Sequence, residues 1–158
     1  MTFPLLFKIY KSKKRLKPDD TYKTKTQLAA EIITELQEIG LKFELVLADS
    51  LYGESDTFLS VLNQYKTPFI VAIRSNHAVW MPAKERLRFN KWKEFKRIFT
   101  NGTREERYMR EIIFGRRRNW RYWQITTDIT KLPENFTWYV MTNYNYLKIG
   151  IYNLVFNG

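Results

Sequence analysis

The sequence predicts an α/β fold: a sheet built on alternating helices and strands, followed by an antiparallel β insertion. Three observations predict it. Residues 25–74 show helix, strand, helix and strand patterns in turn, the order that builds layered sheets with right-handed crossovers. The two strand candidates in that span are nearly all apolar, as strands of a parallel sheet are when both faces are covered. Beyond Arg74 the texture becomes aromatic and basic, with β-branched runs separated by Gly115 and Pro133. The 158 residues suit one ordinary domain. They divide into a core segment over 1–74, a β-rich basic insertion over 75–142 and a tail over 143–158.

Taken in order, residues 3–10 (Phe-Pro-Leu-Leu-Phe-Lys-Ile-Tyr) read as a strand. Residues 11–23 are rich in Lys and Arg, contain Pro18, Asp19 and Asp20, and read as a loop. Residues 25–39 give the best helix signal. Thr24 and Gln27 stand in capping-box spacing, and Ala29, Ile32, Ile33, Leu36 and Ile39 share one face. Glu31, Glu35 and Glu38 then face water, and Gly40 supplies a stop. Residues 43–48 read as a doubly buried strand, with a turn from Asp49 to Gly53. A second helix begins near Ser55, packs Phe58, Leu59, Val61 and Leu62, and is closed by Pro68. Residues 69–74 form the next buried strand. Residues 75–106 show no clear period, whereas 107–114, 120–127 and 136–142 read as β-strands.

Composition excludes several classes. Forty-four per cent of residues are hydrophobic, enough for a core. No apolar run approaches the roughly 20 residues that cross a bilayer, and the N-terminus does not read as a signal peptide. No cysteine is present, which removes disulfides, thiolate zinc sites and cysteine nucleophiles and fits a cytoplasmic protein. The net charge of +11 is unevenly distributed. Residues 8–25 carry net +6, residues 26–73 net −5 and residues 74–121 net +10. Two basic blocks around an acidic segment point to a polyanion, and nucleic acid is the natural one. Arg74, Lys84, Arg86, Arg88, Lys91, Lys93, Lys96 and Arg97 form a candidate DNA track, with Trp80, Phe89 and Trp92 interleaved. Arg116, Arg117 and Arg118 sit at an expected hairpin turn and join the same set. Most of the aromatics are expected to pack in the core.

Asp49 stands where a buried strand ends and a helix will begin. Chemistry in open α/β sheets collects at the carboxyl ends of strands, where a carboxylate is held by the sheet yet faces a crevice. A hard cation such as Mg²⁺ takes one or two protein carboxylates of this kind, while the same position also suits a helix cap. Leu45-Val-Leu-Ala-Asp49-Ser-Leu-Tyr-Gly53, then Phe58-Leu59 and Phe69-Ile-Val-Ala-Ile-Arg74, resembles the region around the second catalytic aspartate of insertion-sequence DDE transposases. The branch it is similar to has a core interrupted by a β-rich insertion. The resemblance extends over Phe3–Lys11, Lys17–Ala30 and Trp80–Thr142.

That resemblance implies a partial RNase H-like fold and DNA cleavage and strand transfer at transposon ends. In the family, three carboxylates hold two divalent ions, Mg²⁺ or Mn²⁺, that activate the attacking oxygen and stabilise the leaving one. Asp49 would be the second carboxylate and a metal ligand. The enzymes commonly act as dimers. The family's first aspartate has no matching position here, and residues 143–158 do not resemble the helix that bears its glutamate. One carboxylate does not make a two-metal site, so this chain alone is expected to be inactive and to bind metal weakly. Glu54 is expected to face the helix start, and Glu111 is expected at the surface. His77, the single histidine, is expected in a loop near the DNA face. No Walker loop or nucleophile elbow is present. The alternatives are a non-enzymatic, basic nucleic-acid-binding α/β domain and an RNA-binding one.

Overall fold

The computed structural model describes residues 5–116 and 119–144. Arg117, Arg118, the first two residues of the expected 3–10 strand and the tail beyond residue 144 lie outside the described residues. The chain forms two compact units, one of Met1–Glu44 with Ser55–Thr67, the other of Leu45–Glu54 with Pro68–Gly158.

In the first unit, helix α1 (Lys25–Glu38) starts at the expected capping box. The Gln27 amide donates to Thr24 Oγ1 at 3.2 Å, and the Thr24 amide donates to Gln27 Oε1 at 2.8 Å, so two otherwise orphaned donors are satisfied reciprocally. The helix buries Ala30, Ile33 and Leu36. Ile39, expected on the buried face, is instead 78 % exposed. It is the C-cap residue, where the chain leaves the helical path before Gly40 at φ 88°. Helix α2 (Ser50–Gly53) is a single turn in the other unit. Helix α3 (Asp56–Gln64) is capped by Ser55, buries Phe58, Leu59 and Leu62, and packs on α1. Burying such side chains is worth about 1.5–3 kcal/mol each.

Residues 5–10 do not form the expected strand. A strand needs a neighbour for its amides and carbonyls, and no described segment provides one. The segment is held by side chains instead: Lys8 pairs with Glu31 at 2.9 Å and with Glu35, and the Lys25 ammonium lies over the Tyr10 ring.

The second unit contains a seven-stranded mixed sheet. Its strands are β1 (Val46–Ala48), β2 (Phe69–Ile73), β3 (Leu87–Phe89), β4 (Lys93–Ile98), β5 (Arg104–Phe114), β6 (Arg121–Thr126) and β7 (Thr137–Thr142). The order across the sheet is β1-β2-β7-β6-β5-β3, with β4 also on β5. β1 and β2 are parallel, and every other pairing is antiparallel. The β-rich segment is therefore continuous with the β1–β2 pair through β7.

Two strand expectations need correction. The run 43–48 pairs only over Val46–Ala48, and Leu47 is 49 % exposed rather than doubly buried. Among the described residues β1 pairs with β2 alone, so it is an edge strand, and its apolar run overstates its coverage. Residues 75–106, which show no period, contain β3 and β4. β3 is exposed throughout, and in β4 the inner positions hold Phe95 and Arg97 while Ile98 is exposed, so apolar and polar residues do not alternate along either sequence.

The core of the sheet is one face of β2, β5, β6 and β7, built on Ile70, Met109, Ile125 and Val140. Glu111 shares this face with Met109 and is 1 % exposed, which overturns the surface reading. Its carboxylate accepts from Arg121 Nε at 2.8 Å and Asn90 Nδ2 at 2.9 Å, and its carbonyl accepts from the Asn90 amide. One buried carboxylate thus ties the β3–β4 connection to the start of β6. Removing one partner of such a pair strands the other. Glu111→Ala is expected to destabilise the chain by about 3–5 kcal/mol, read as a lower urea midpoint. An unchanged midpoint would show that the pair contributes nothing.

Candidate active site and nucleic-acid interface

Asp49 directly follows β1 and is the N-cap of α2 (Ser50–Gly53), a one-turn helix. Its Oδ1 accepts from the Leu51 amide at 2.9 Å, and its carbonyl accepts from the Gly53 amide at 2.9 Å. The capping role weighed from the sequence is therefore present. It occupies one carboxylate oxygen; Oδ2 has no hydrogen-bond partner among the described residues. The side chain sits on an exposed residue at the carboxyl end of a strand. An uncommitted carboxylate oxygen in that place suits one bond to a hard cation.

Gly53 explains how the turn lies where it does. A Cβ at this position would meet the Ala72 carbonyl oxygen at 2.0 Å. The missing side chain lets α2 rest directly on the backbone of β2, and that contact fixes the path of the chain from Asp49.

Glu54 closes the other end of this turn. Its Oε1 accepts from the Arg74 amide at 2.8 Å, and its Oε2 lies 2.9 Å from His77 Nδ1. Glu54 thus reaches past the helix start and holds the loop that leaves β2. His77 lies in that loop, as the sequence suggests, with its ring 6.1 Å from that of Tyr122. Burial pushes the Glu54 carboxyl up, but the Arg74 amide, His77 and the Arg74 charge together outweigh it and hold it below the ordinary glutamate value.

Does the donor set fit a pair of divalent ions? Among the described residues no three or more His, Asp or Glu side chains gather where they could hold a metal. Asp49 can serve as one ligand. The described residues do not complete a site.

Arg74, Lys84, Arg86, Arg88, Lys91, Lys93, Lys96 and Arg116 are exposed. Arg97 is half-buried, its guanidinium 4.2 Å from the Phe99 ring centre, and burial followed by the nearby Arg107 charge lowers its pKa. Lys93 and Lys96 lie on β4 and Arg88 on β3, along the β5 edge. Arg74 stands apart from these, at the end of β2. The expectation that most aromatics pack inside fails for Trp80, which is 76 % exposed, and for Phe89, which is also exposed. Trp92 is half-buried. Sequence reasoning missed Arg110, whose guanidinium lies 4.1 Å from the Phe89 ring centre and 4.3 Å from that of Trp92. Its place in the basic block of residues 74–121 was the available signal, and nothing local marks its meeting with Phe89 and Trp92.

A depressed carboxyl contributes stability above its unfolded pKa and loses it as pH falls through the folded value. The Glu54 contribution is therefore complete at neutral pH and fades below about pH 4.3, the unfolded glutamate value. Melting curves of the chain and of Glu54→Gln should differ at pH 7 and converge in that acidic range. A gap that widened on acidification would contradict this sign.

The family of DDE superfamily endonucleases matches residues 9–97, a span that includes Asp49, Gly53, Glu54 and Arg74. Over 145 residues the chain is 54 % identical to a protein of Microchaete diplosiphon described as the probable transposase for insertion sequence element IS701. That similarity covers 91 % of this chain and 38 % of the relative, so the chain spans well under half the relative's length. No solved structure matches. No helix among the described residues is long and apolar enough to cross a membrane. Endonucleases of this superfamily generally use divalent metal ions, and DNA is their partner. With more than half of its residues inside that match, this chain belongs to the DDE superfamily of endonucleases.

Proposed function

We propose that this chain is a segment of an insertion-sequence DNA transposase, with Asp49 as the second of three carboxylates that hold Mg²⁺ or Mn²⁺. The observation that carries this reading is the family match over 9–97, inside which Asp49 sits at the end of β1 with one oxygen uncommitted. The other two carboxylates belong to parts of the parent protein outside these 158 residues. The chain alone is inactive and binds metal weakly. Residues 1–74 belong to the catalytic core and 75–142 to its β-rich insertion. The parent works in the cytoplasm, as a dimer on transposon ends. A basic nucleic-acid-binding domain without catalysis is not favoured, because the family match covers the aspartate-bearing turn itself.

The chain's own contribution is to hold and to aim. Strand β1 and the α2 cap hold the Asp49 carboxylate, which would supply one oxygen ligand to a divalent ion. The exposed lysines and arginines of β3, β4 and the loop after β2 neutralise phosphates and set the register of the strand to be cut.

In the full-length parent, Asp49→Asn should lower Mg²⁺-dependent cleavage of DNA bearing the element's ends by about a thousandfold, since each tenfold is 1.36 kcal/mol and a metal ion contributes several. Undiminished cleavage would remove Asp49 from the chemistry. For the 158-residue chain, log affinity for duplex DNA should fall linearly with log salt. Each phosphate contact contributes a slope of about 0.9, so Lys93→Gln and Lys96→Gln should each reduce it by about one. A salt-independent affinity, or a stronger one for RNA, would count against a DNA track.

A further inference from the structure

A cavity of about 260 Å³ opens on the face of the sheet opposite the Met109 core. Its floor is a row of side chains facing one another across three strands: Arg110 on β5, Gln124 on β6 and Tyr139 on β7. The loop from Arg74 to His77 stands at its rim, and its walls are mostly apolar, including Ile112 and Phe114. Everything that builds it belongs to the sheet unit.

The row is a chain of hydrogen bonds with one loose end. Gln124 Nε2 donates to Tyr139 Oη at 3.1 Å, which orients the Gln124 amide. Arg110 Nε donates to Gln124 Oε1 at 2.8 Å. The Phe89 and Trp92 rings flank the guanidinium, which fixes its plane. Both Nη groups remain, and neither meets a protein acceptor among the described residues. Glu94 on β4 and Glu106 on β5 are the nearest acids of these strands on this face, and neither pairs with Arg110. Burial lowers the pKa of this arginine, partly offset by Tyr139, and no carboxylate contributes to its charge balance.

A half-buried guanidinium is normally matched by an anion of the protein itself, because a desolvated charge without a counter-charge is costly. Here the protein leaves the planar fork oriented and unpaired at the floor of a cavity. Two parallel N–H donors match two oxygens of a phosphate, and the rigid stacking lowers the entropy lost on binding. A phosphate with its ester neighbours fits a cavity of this size. Arg74 joins Arg110 in its lining, and no carboxylate is among the lining residues.

We propose that this cavity is a phosphate pocket that takes one phosphate of a nucleic-acid strand, gripped by the two Nη groups of Arg110 and oriented through Gln124 and Tyr139. This rests on the DNA-binding reading above and specifies one grip within it. The site is distinct from the Asp49 turn in residues and in chemistry, since it needs no metal.

The test uses the 158-residue chain labelled with ¹⁵N, in which the Arg110 side-chain signals are identified by their loss in Arg110→Lys. Thymidine monophosphate, thymidine, inorganic phosphate and acetate are the probes. Thymidine monophosphate is expected to shift the Arg110 signals saturably, and thymidine is not. Arg110→Gln should weaken that binding about tenfold or more, and Gln124→Leu should weaken it less, by freeing the fork. Inorganic phosphate that binds as tightly as the nucleotide would identify a free-phosphate site and overturn the strand assignment. Acetate that binds as tightly would identify a carboxylate site, fitted to an acidic peptide, and overturn phosphate recognition. Duplex DNA binding by the wild-type chain is measured in parallel. If it persists while no phosphate probe moves Arg110, the pocket fails and the DNA track stands; if both vanish, the DNA-binding reading fails with it.

Discussion

Strand β2 has to satisfy two ladders of different geometry at once. On one edge it runs parallel to β1, from Val46↔Phe69 to Ala48↔Val71; on the other it runs antiparallel to β7, from Ile70↔Thr142 to Ile73↔Tyr139. A strand bonded on both edges has no freedom to slip, because a shift of one residue turns every side chain to the wrong face. Phe69, Ile70 and Val71 are fully covered as a result. The same fixed backbone presents the Ala72 carbonyl to Gly53 and the Arg74 amide to Glu54. The position of the Asp49 turn and the mouth of the Arg110 cavity both follow from that one strand.

Two polar devices then act on opposite faces of the same sheet. On the core face, Glu111 is paired, buried and closed, with Arg121 and Asn90 as its partners. On the other face, Arg110 is stacked, held at Nε and open at Nη. They are adjacent residues of β5, and the alternation of a strand sends them to different faces. The first spends its charge on the fold. The second keeps its charge for a ligand.

How much of this was legible in the sequence depended on whether the signal was local. The α1 cap, the Ser55 cap and the stop at Gly40 involve neighbours within a few residues, and they stand where the pattern puts them. Strands β5, β6 and β7 declared themselves through β-branched and aromatic residues. Asp49 at a strand end was legible as well, through its apolar run and Gly53. The failures were non-local. The burial of Glu111 requires Arg121 and Asn90, ten and twenty-one residues away. β3 and β4 are strands because β5 is there to pair with them, and their own side chains are mostly in water. Residues 5–10 have the composition of a strand without a described partner. The Arg110 fork depends on Phe89, Trp92 and Gln124 meeting from three segments, which no spacing rule reveals.

The bare backbone contact at Gly53 has a consequence for inheritance. Every missense change at that codon adds at least a Cβ, and the space for it is filled by a strand that cannot move. Neighbouring positions such as Leu51, which is exposed, tolerate drift. A lesion at codon 53 would break this backbone contact while every acidic residue of the chain still reads as intact. A comparison of related sequences that scores only the carboxylates would pass over that lesion.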